Sequence, residues 1–230
     1  MKKLLLSCWS IGMCLLTWAQ EYPILEEITH RYNQAPHLSM HLQVKAYDNN
    51  QLVLYTEKIE AHKQNELYYT RSGNIEMMTN LLNLIVVNHA IQQIMVAPYD
   101  KQGMHAEKMM HMAQVDSLLK RAEKISEQAL DAQRVRYTIY SNTTVHERIE
   151  IDINTHKKTF EKINYLYANE GFMGLKRMEI VFEQTSFKRG SRPEVFNDQR
   201  FLVVNSQNEL IPAPDYATYE VVVTGNNERK

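Results

Sequence analysis

The spacing of apolar residues changes twice along the chain. Between Glu21 and Tyr32, the apolar residues Leu25, Ile28 and Tyr32 lie three or four positions apart. This spacing is typical of a helix with one buried face. Pro36 then closes the segment. The sequence therefore predicts a short N-terminal helix.

A period of two replaces the helical period at His37. Leu38, Met40, Leu42 and Val44 alternate with polar residues, as expected of a strand with one buried face. Asp48-Asn49-Asn50 predicts a turn. Further strands are predicted over 51–61, 66–71, 82–87 and 91–96.

The segment from Lys101 to Ala132 returns to helical spacing. Val115, Ala122, Ile125 and Ala129 keep separations compatible with one helix face. The sequence therefore predicts one long central helix.

Strand periodicity then dominates the second half of the chain. Alternating apolar and polar residues predict four consecutive antiparallel strands. Two shorter strands are predicted near the end. These six segments are 135–139, 149–153, 163–167, 178–182, 201–204 and 219–223.

This order of elements predicts an α+β fold. A curved, mostly antiparallel sheet, either open or a half barrel, would bury its apolar face under the short N-terminal helix and the long central helix. A sheet of about nine strands is expected to curl. We expect one domain over residues 20–224, followed by a frayed tail over 225–230.

The first nineteen residues have the three-part pattern of a secretory signal peptide. Lys2 and Lys3 precede an apolar run, which ends at Thr17-Trp18-Ala19. Cleavage after Ala19 would release a periplasmic or secreted protein, and a Gram-negative bacterium is the expected source. No later segment is long and apolar enough to be predicted to cross a membrane.

Both cysteines, Cys8 and Cys14, lie within this predicted signal peptide. Cleavage would therefore leave a chain without disulfide, thiolate metal site or cysteine nucleophile. Leu5-Leu6-Ser7-Cys8 also looks like a lipidation box. A form anchored through a lipid on Cys8 remains the alternative to a free exported protein.

Charge argues against nucleic-acid binding. Of 26 basic residues, cleavage removes Lys2 and Lys3, which leaves 24 against 27 acidic residues and a net charge of −3. Such a balance lacks the basic excess of nucleic-acid-binding proteins. The chain also has 13 tyrosines and 12 methionines, side chains that can form large, adaptable apolar surfaces.

Several segments resemble the family of periplasmic outer-membrane lipoprotein carriers, the LolA-like half barrels. These segments share the order and texture of that family: Leu25-Glu26-Glu27-Ile28, Leu67-Tyr68-Tyr69, Ser72-Gly73, Glu76-Met77-Met78, 84–87, 91–96, 149–153 and 160–167. Carriers of this family often have a basic residue and a proline in the third strand. Here that stretch reads Lys63-Gln64-Asn65-Glu66, without proline.

The resemblance implies that an apolar ligand binds between the sheet and its covering helices. A lipid, or the acyl chain of a lipidated protein, is the expected partner. Other envelope proteins are further candidate partners under this hypothesis. The expected cavity-lining residues are Leu42, Val44, Tyr68, Val86, Ile151 and Tyr165.

A second hypothesis gives the chain a structural or protein-interaction role in the envelope, without a ligand. A third is Cu(I) binding, because His105, Met109 and Met112 would share one helix face and soft ligands suit this ion. The simpler interpretation is that the two methionines belong to a buried helix stripe.

An exported hydrolase is the remaining alternative, since catalytic groups from distant segments can assemble without a local motif. The sequence contains no Gly-x-Ser-x-Gly and no P-loop, and Ser117-Leu118-Leu119-Lys120 matches Ser-x-x-Lys in isolation. We therefore expect neither enzymatic activity nor a cofactor.

Overall fold

The computed structural model describes residues 22–99, 113–141, 146–168, 174–189 and 192–224. In chain order, its helices and strands are α1 (Pro23–Gln34), β1 (His37–Tyr47), β2 (Val53–Gln64), β3 (Leu67–Ser72), β4 (Ile75–Thr79), β5 (Asn83–Asn88), β6 (Gln93–Pro98), α2 (Ala113–Arg121), β7 (Ala122–Ala129), β8 (Arg134–Ser141), β9 (His146–Asn154), β10 (Thr159–Tyr167), β11 (Arg177–Ser186), β12 (Leu202–Val204), β13 (Leu210–Pro212) and β14 (Glu220–Val223). Short 3-10 helices lie at Pro193–Phe196, Asp198–Arg200 and Pro214–Tyr216.

Twelve of the described strands form one open sheet in the order β14-β6-β5-β4-β3-β2-β1-β11-β10-β9-β8-β7. Two antiparallel meanders, β1 to β6 and β7 to β11, account for most of it. They meet where β1 pairs antiparallel with β11, and we call this junction the seam. β14 adds a parallel strand beside β6, and β12 and β13 form a separate pair.

The two faces of the sheet bury different parts of the chain. We call the face that carries Met40 and Ile151 the helical face, because both residues belong to the core formed with α1. Tyr69 and Ile85 lie on the opposite, C-terminal face and pack with Phe201. Each face of this large sheet therefore has its own apolar core.

Helix α1 begins with Pro23, a residue well suited to the first turn because its missing N–H would have no helical partner there. Leu25 and Ile28 are fully buried against the helical face, and Tyr32 is almost so. The ring of Tyr32 lies 4.8 Å from that of Phe160, centroid to centroid. The predicted helical stripe is thus confirmed as the contact between α1 and the sheet.

The predicted long helix from Lys101 to Ala132 is wrong. Residues 100–112 lie outside the described residues, and helix α2 ends at Arg121 before the chain continues as β7. Ile125 pairs with Ile139 of β8, so the spacing taken for a helix stripe also fits a strand. Pairing between β7 and β8 gives the backbone N–H and C=O groups of both strands hydrogen-bond partners, and this gain overrides the local helix propensity of β7.

The open, largely antiparallel sheet and the short N-terminal helix are confirmed. Strand β4 (Ile75–Thr79) was not predicted, and the sheet has more strands than expected. The protein is consequently mostly β rather than a balanced mixture of helix and sheet. The predicted signal peptide over 1–19 and the tail over 225–230 lie outside the described residues, and the single domain over 20–224 stays a prediction.

Replacing Ile28 with alanine tests the contact between α1 and the helical face. We expect Ile28→Ala to lower the free energy of unfolding by about 2–5 kcal/mol, because it leaves a cavity at a fully buried site. Urea denaturation monitored by circular dichroism would measure the change.

The matched control is His30→Ala, two residues away on the exposed side of α1. A change of less than about 0.5 kcal/mol is expected there. Equal losses in the two variants would contradict the proposed packing of α1.

Candidate functional site

An apolar pocket lies on the helical face at the seam. Its volume is about 190 Å³, and it is lined by residues of β1, β2, β3, β10 and β11. The lining residues are Met40, Leu42, Val44, Tyr55, Glu57, Ile59, Ala61, Thr70, Ile163, Tyr165, Met178, Ile180 and Phe182.

Strand alternation explains why the lining is so apolar. Leu42 pairs with both Phe182 of β11 and Ile59 of β2, and directly opposed residues on neighbouring strands point to the same face. Apart from the hydroxyl groups of Tyr55 and Tyr165, only Glu57 and Thr70 contribute polar groups to the lining. Burial raises the pKa of Tyr165 to about 12, so its phenol stays neutral at physiological pH.

The pocket is small compared with most ligand sites. Its volume of about 190 Å³ is below the range of roughly 300–1,000 Å³ that is usual for small-molecule pockets. A row of residues at neighbouring positions extends the same face from Thr70 across β4, β5 and β6, through Met77, Val86 and Met95. All four are only partly buried, so an elongated ligand could continue along them.

The structure places the six predicted lining residues in three ways. Leu42, Val44 and Tyr165 line the pocket. Tyr68 and Val86 lie on the same face, outside the pocket lining. Ile151 is fully buried in the core on that face. Their role in binding stays a prediction.

The alternative Cu(I) ligands His105, Met109 and Met112 lie outside the described residues. Within the parts of the chain that the structure describes, no group of three or more His, Cys, Asp or Glu side chains could hold a metal ion. No described helix is both long enough and apolar enough to cross a membrane.

The C-terminal face contains a polar network around Glu76, which is only 3% exposed. The Tyr69 hydroxyl donates a hydrogen bond to Glu76 Oε2 at 2.8 Å, and His89 Nε2 lies 2.8 Å from Glu76 Oε1. Arg200 donates from Nη2 to Oε2 at 3.3 Å. These contacts compensate the carboxylate for lost water, as a buried charge requires.

Hydrogen bonding decides the protonation state of Glu76. Burial alone would raise the pKa of this carboxyl, but the hydrogen bonds from Tyr69 and His89 and the charge of Arg200 outweigh it, so the pKa is lowered. A neutral His89 that donates from Nε2 can accept at Nδ1 from the Tyr219 hydroxyl, 2.9 Å away. The network therefore ties β4 to residues 192–224, which we call the C-terminal segment.

A second carboxylate continues the polar contacts along this face. Glu60 Oε1 lies 2.7 Å from His62 Nε2 and accepts a hydrogen bond from Arg192 Nη1 at 2.7 Å. The ring of His62 stacks on Tyr69 with centroids 6.0 Å apart. The C-terminal segment is thus held near its beginning by Arg192 and near its end by Tyr219.

Sequence reasoning missed this network. Glu76 lies in the unpredicted strand β4, and its partners are distant along the chain. An acidic residue beside Met77 and Met78 was the only local signal, and it could not identify Arg200 or Tyr219 as partners.

No protein-family model matches the sequence, and no curated protein matches it. Solved structures are similar in fold. An uncharacterised conserved protein from Thermus thermophilus has a TM-score of 0.47 at 8% identity, covering 86% of this chain and 98% of its own. A LolA superfamily protein from Nitrosomonas europaea has a TM-score of 0.33 at 7% identity, covering 76% and 96%.

A third neighbour is a lipoprotein-sorting domain. This putative outer membrane lipoprotein-sorting protein domain from Vibrio parahaemolyticus has a TM-score of 0.35 at 8% identity, and the match covers 76% of this chain and 95% of the neighbour. The structural neighbours include LolA-like proteins. The function of this chain has to be argued from its own residues.

Replacing Glu76 with glutamine tests the buried network. We expect Glu76→Gln to lower the free energy of unfolding at pH 7 by about 1–3 kcal/mol, because charged hydrogen bonds are lost while the shape is kept. Since folding lowers the Glu76 pKa, its ionisation stabilises the wild type above about pH 4.5. That contribution disappears as the pH falls, so the variant should lose less stability on acidification.

Urea denaturation at pH 7 and pH 4 would measure both effects. Glu123→Gln is the matched control, since Glu123 is exposed on the edge strand β7. An acid sensitivity in Glu76→Gln as large as that of the wild type would contradict the role given to this carboxylate.

Proposed function

We propose that this chain binds the acyl chain of a lipid or lipidated protein in the pocket at the seam. The single observation that carries the proposal is the lining, in which eleven of thirteen side chains are aliphatic or aromatic. An unbranched hydrocarbon suits such a surface because it needs no hydrogen-bond partner there. Binding would release water from both apolar surfaces.

The shape of the helical face supports an elongated ligand. The pocket itself would hold one end of the chain, and the partly buried row through Met77, Val86 and Met95 would contact the rest. Two methionines in this row and two more in the pocket lining, Met40 and Met178, provide flexible thioether side chains that adapt to irregular apolar ligands.

Glu57 and Tyr55 give the pocket a polar margin. Both line it from β2, and Tyr55 is 44% exposed. An acyl chain could therefore lay its apolar end against the side chains of β1 and β11 while its polar end stays near β2 and water. The predicted export of the chain would bring it to the cell envelope, where such ligands occur.

The competing hypothesis is an envelope interaction protein without a ligand. Native mass spectrometry of the protein purified from its own host would separate the two hypotheses. A co-purified lipid or lipopeptide supports acyl binding. Absence of any bound lipid, together with no binding of added fatty acid, would favour the interaction protein.

Chain length provides a direct test of the pocket. We expect the affinity for saturated fatty acids from hexanoate upwards to rise about fourfold for each added methylene, since burying one contributes about 0.8 kcal/mol. The rise should level off once the apolar surface is covered. Isothermal titration calorimetry would measure the series, and affinities independent of chain length would contradict the proposal.

Filling the pocket should block the same ligand. We expect Ile59→Trp to weaken decanoate binding at least tenfold, because Ile59 lines the pocket and is only partly buried, which gives the larger ring room without unfolding the core. Lys58→Trp is the matched control, since the adjacent side chain points to the opposite face. Equal affinities for the two variants would place the ligand elsewhere.

A further inference from the structure

Strand β2 is longer than the neighbour on one of its sides. It pairs with β1 from Val53 to Gln64, whereas β3 pairs only with its second half, from Ile59 to Gln64. Among the described strands, none pairs with the other side of the segment Val53–Lys58. We call this segment the free edge of β2.

The register shows which backbone groups this edge presents. The N–H of Asn65 donates to Pro36 O at 2.6 Å. From Tyr55 onwards, before the register shifts at Tyr47, odd-numbered residues of β2 therefore direct their backbone groups towards β1. Even-numbered residues direct theirs towards β3, as the alternation of an antiparallel ladder requires. Thr56 and Lys58 therefore present N–H and C=O groups along the free edge.

Exposed apolar side chains lie at the end of the free edge that precedes these backbone groups. Val53 is 53% exposed and Leu54 is 52% exposed, and Leu52 in the preceding turn is 63% exposed. The opposite end of the free edge carries Glu57 and Lys58, and the edge strand β7 carries three charged residues in its sequence AEKISEQA. Charges of that kind discourage edge-to-edge pairing, whereas an apolar edge invites it.

A cleft of about 760 Å³ adjoins the free edge, lined by residues 55–60 together with Arg71 and Gly73, and it extends past β2 to His41, Leu42 and Glu183. β3 ends at Ser72, where Gly73 turns the chain with φ +51° and lies against Glu57. The cleft therefore continues the lane that β3 occupies beside β2. Six residues of the edge span about 20 Å at roughly 3.3 Å per residue.

We propose that the free edge of β2 binds an extended, uncharged apolar segment of another protein as an added strand. Only a peptide backbone matches the alternating N–H and C=O groups of such an edge. Side chains of the added strand on the helical face would lie beside Tyr55, Glu57 and Ile59. Two of these three are aromatic or aliphatic, which favours apolar residues at alternate positions.

Charge at the cleft supports an uncharged partner. Two acidic side chains of its lining, Glu57 and Glu183, stand against two basic ones, Lys58 and Arg71. The third acid, Glu60, already contacts Arg192 and His62. Arg71 in turn lies 3.9 Å from Glu76. The lining therefore departs from neutrality by at most one charge, which is too little to select a charged segment.

A proline at Thr56 would test the added strand. Proline removes the outward N–H but no bond to β1, and an edge position of this kind tolerates it. The probe is a fluorescein-labelled hexapeptide of alternating valine and threonine with both ends blocked, measured by fluorescence anisotropy. We expect saturable binding to the wild type, at least a tenfold loss with Thr56→Pro, and a change below twofold with Thr56→Ala.

Hydrogen exchange gives a second measurement that needs no variant. Addition of the peptide should slow amide exchange of Thr56 and Lys58 at least tenfold. The absence of saturable binding, unchanged affinity in a folded Thr56→Pro protein, or protection confined to other strands would overturn the proposal. So would dimerisation of the free protein that Thr56→Pro abolishes, because it would assign the edge to a second copy. The peptide carries no acyl group, so its failure to bind would leave the acyl-binding proposal intact.

Discussion

The pairing of β1 with β11 is the constraint on which the rest of the architecture depends. The other described neighbours in the large sheet are consecutive along the chain, apart from β14 beside β6. Among the described strands, the seam is the one pairing that joins the two meanders. The Tyr47 hydroxyl donates to Glu179 at 3.2 Å across it, and the Arg177 guanidinium lies 3.9 Å from the centroid of the Tyr47 ring. Because the apolar pocket takes its walls from both meanders, it exists only where this seam closes.

A sheet of this size needs cover on both faces. Helix α1 protects the helical face around the second meander, and the C-terminal segment protects the opposite face of the first. The two contacts differ in kind. α1 packs through aliphatic and aromatic side chains, whereas the C-terminal segment also depends on Glu76, a carboxylate that tolerates burial only while Tyr69, His89 and Arg200 remain in contact with it. Apolar packing thus secures the pocket side, and polar contacts fix the position of the segment behind it.

Local periodicity predicted the elements whose own residues determine them. The spacing of Leu25 and Ile28 identified α1, and the alternation from Leu38 to Val44 identified β1 and the face that lines the pocket. Ile125 shows where this information ends, since its spacing suits a helix or a strand and pairing with β8 selects the strand. Glu76 shows a second limit, because its partners are distant in sequence. Likewise, the six residues of β2 without a described neighbour beyond β1 became visible only when the lengths of β2 and β3 could be compared.

The seam also has a consequence for the order of folding. Hairpins within each meander join residues close in sequence, whereas Tyr47 and Glu179 are 132 residues apart, so closing the seam carries a larger loop-closure entropy. A ligand held in the pocket on the face of β1 and β11 would bind after that closure and leave partly folded chains untouched. Its binding free energy would then add to the stability of the complete fold through mass action. Occupancy of the pocket would report that the two meanders have joined.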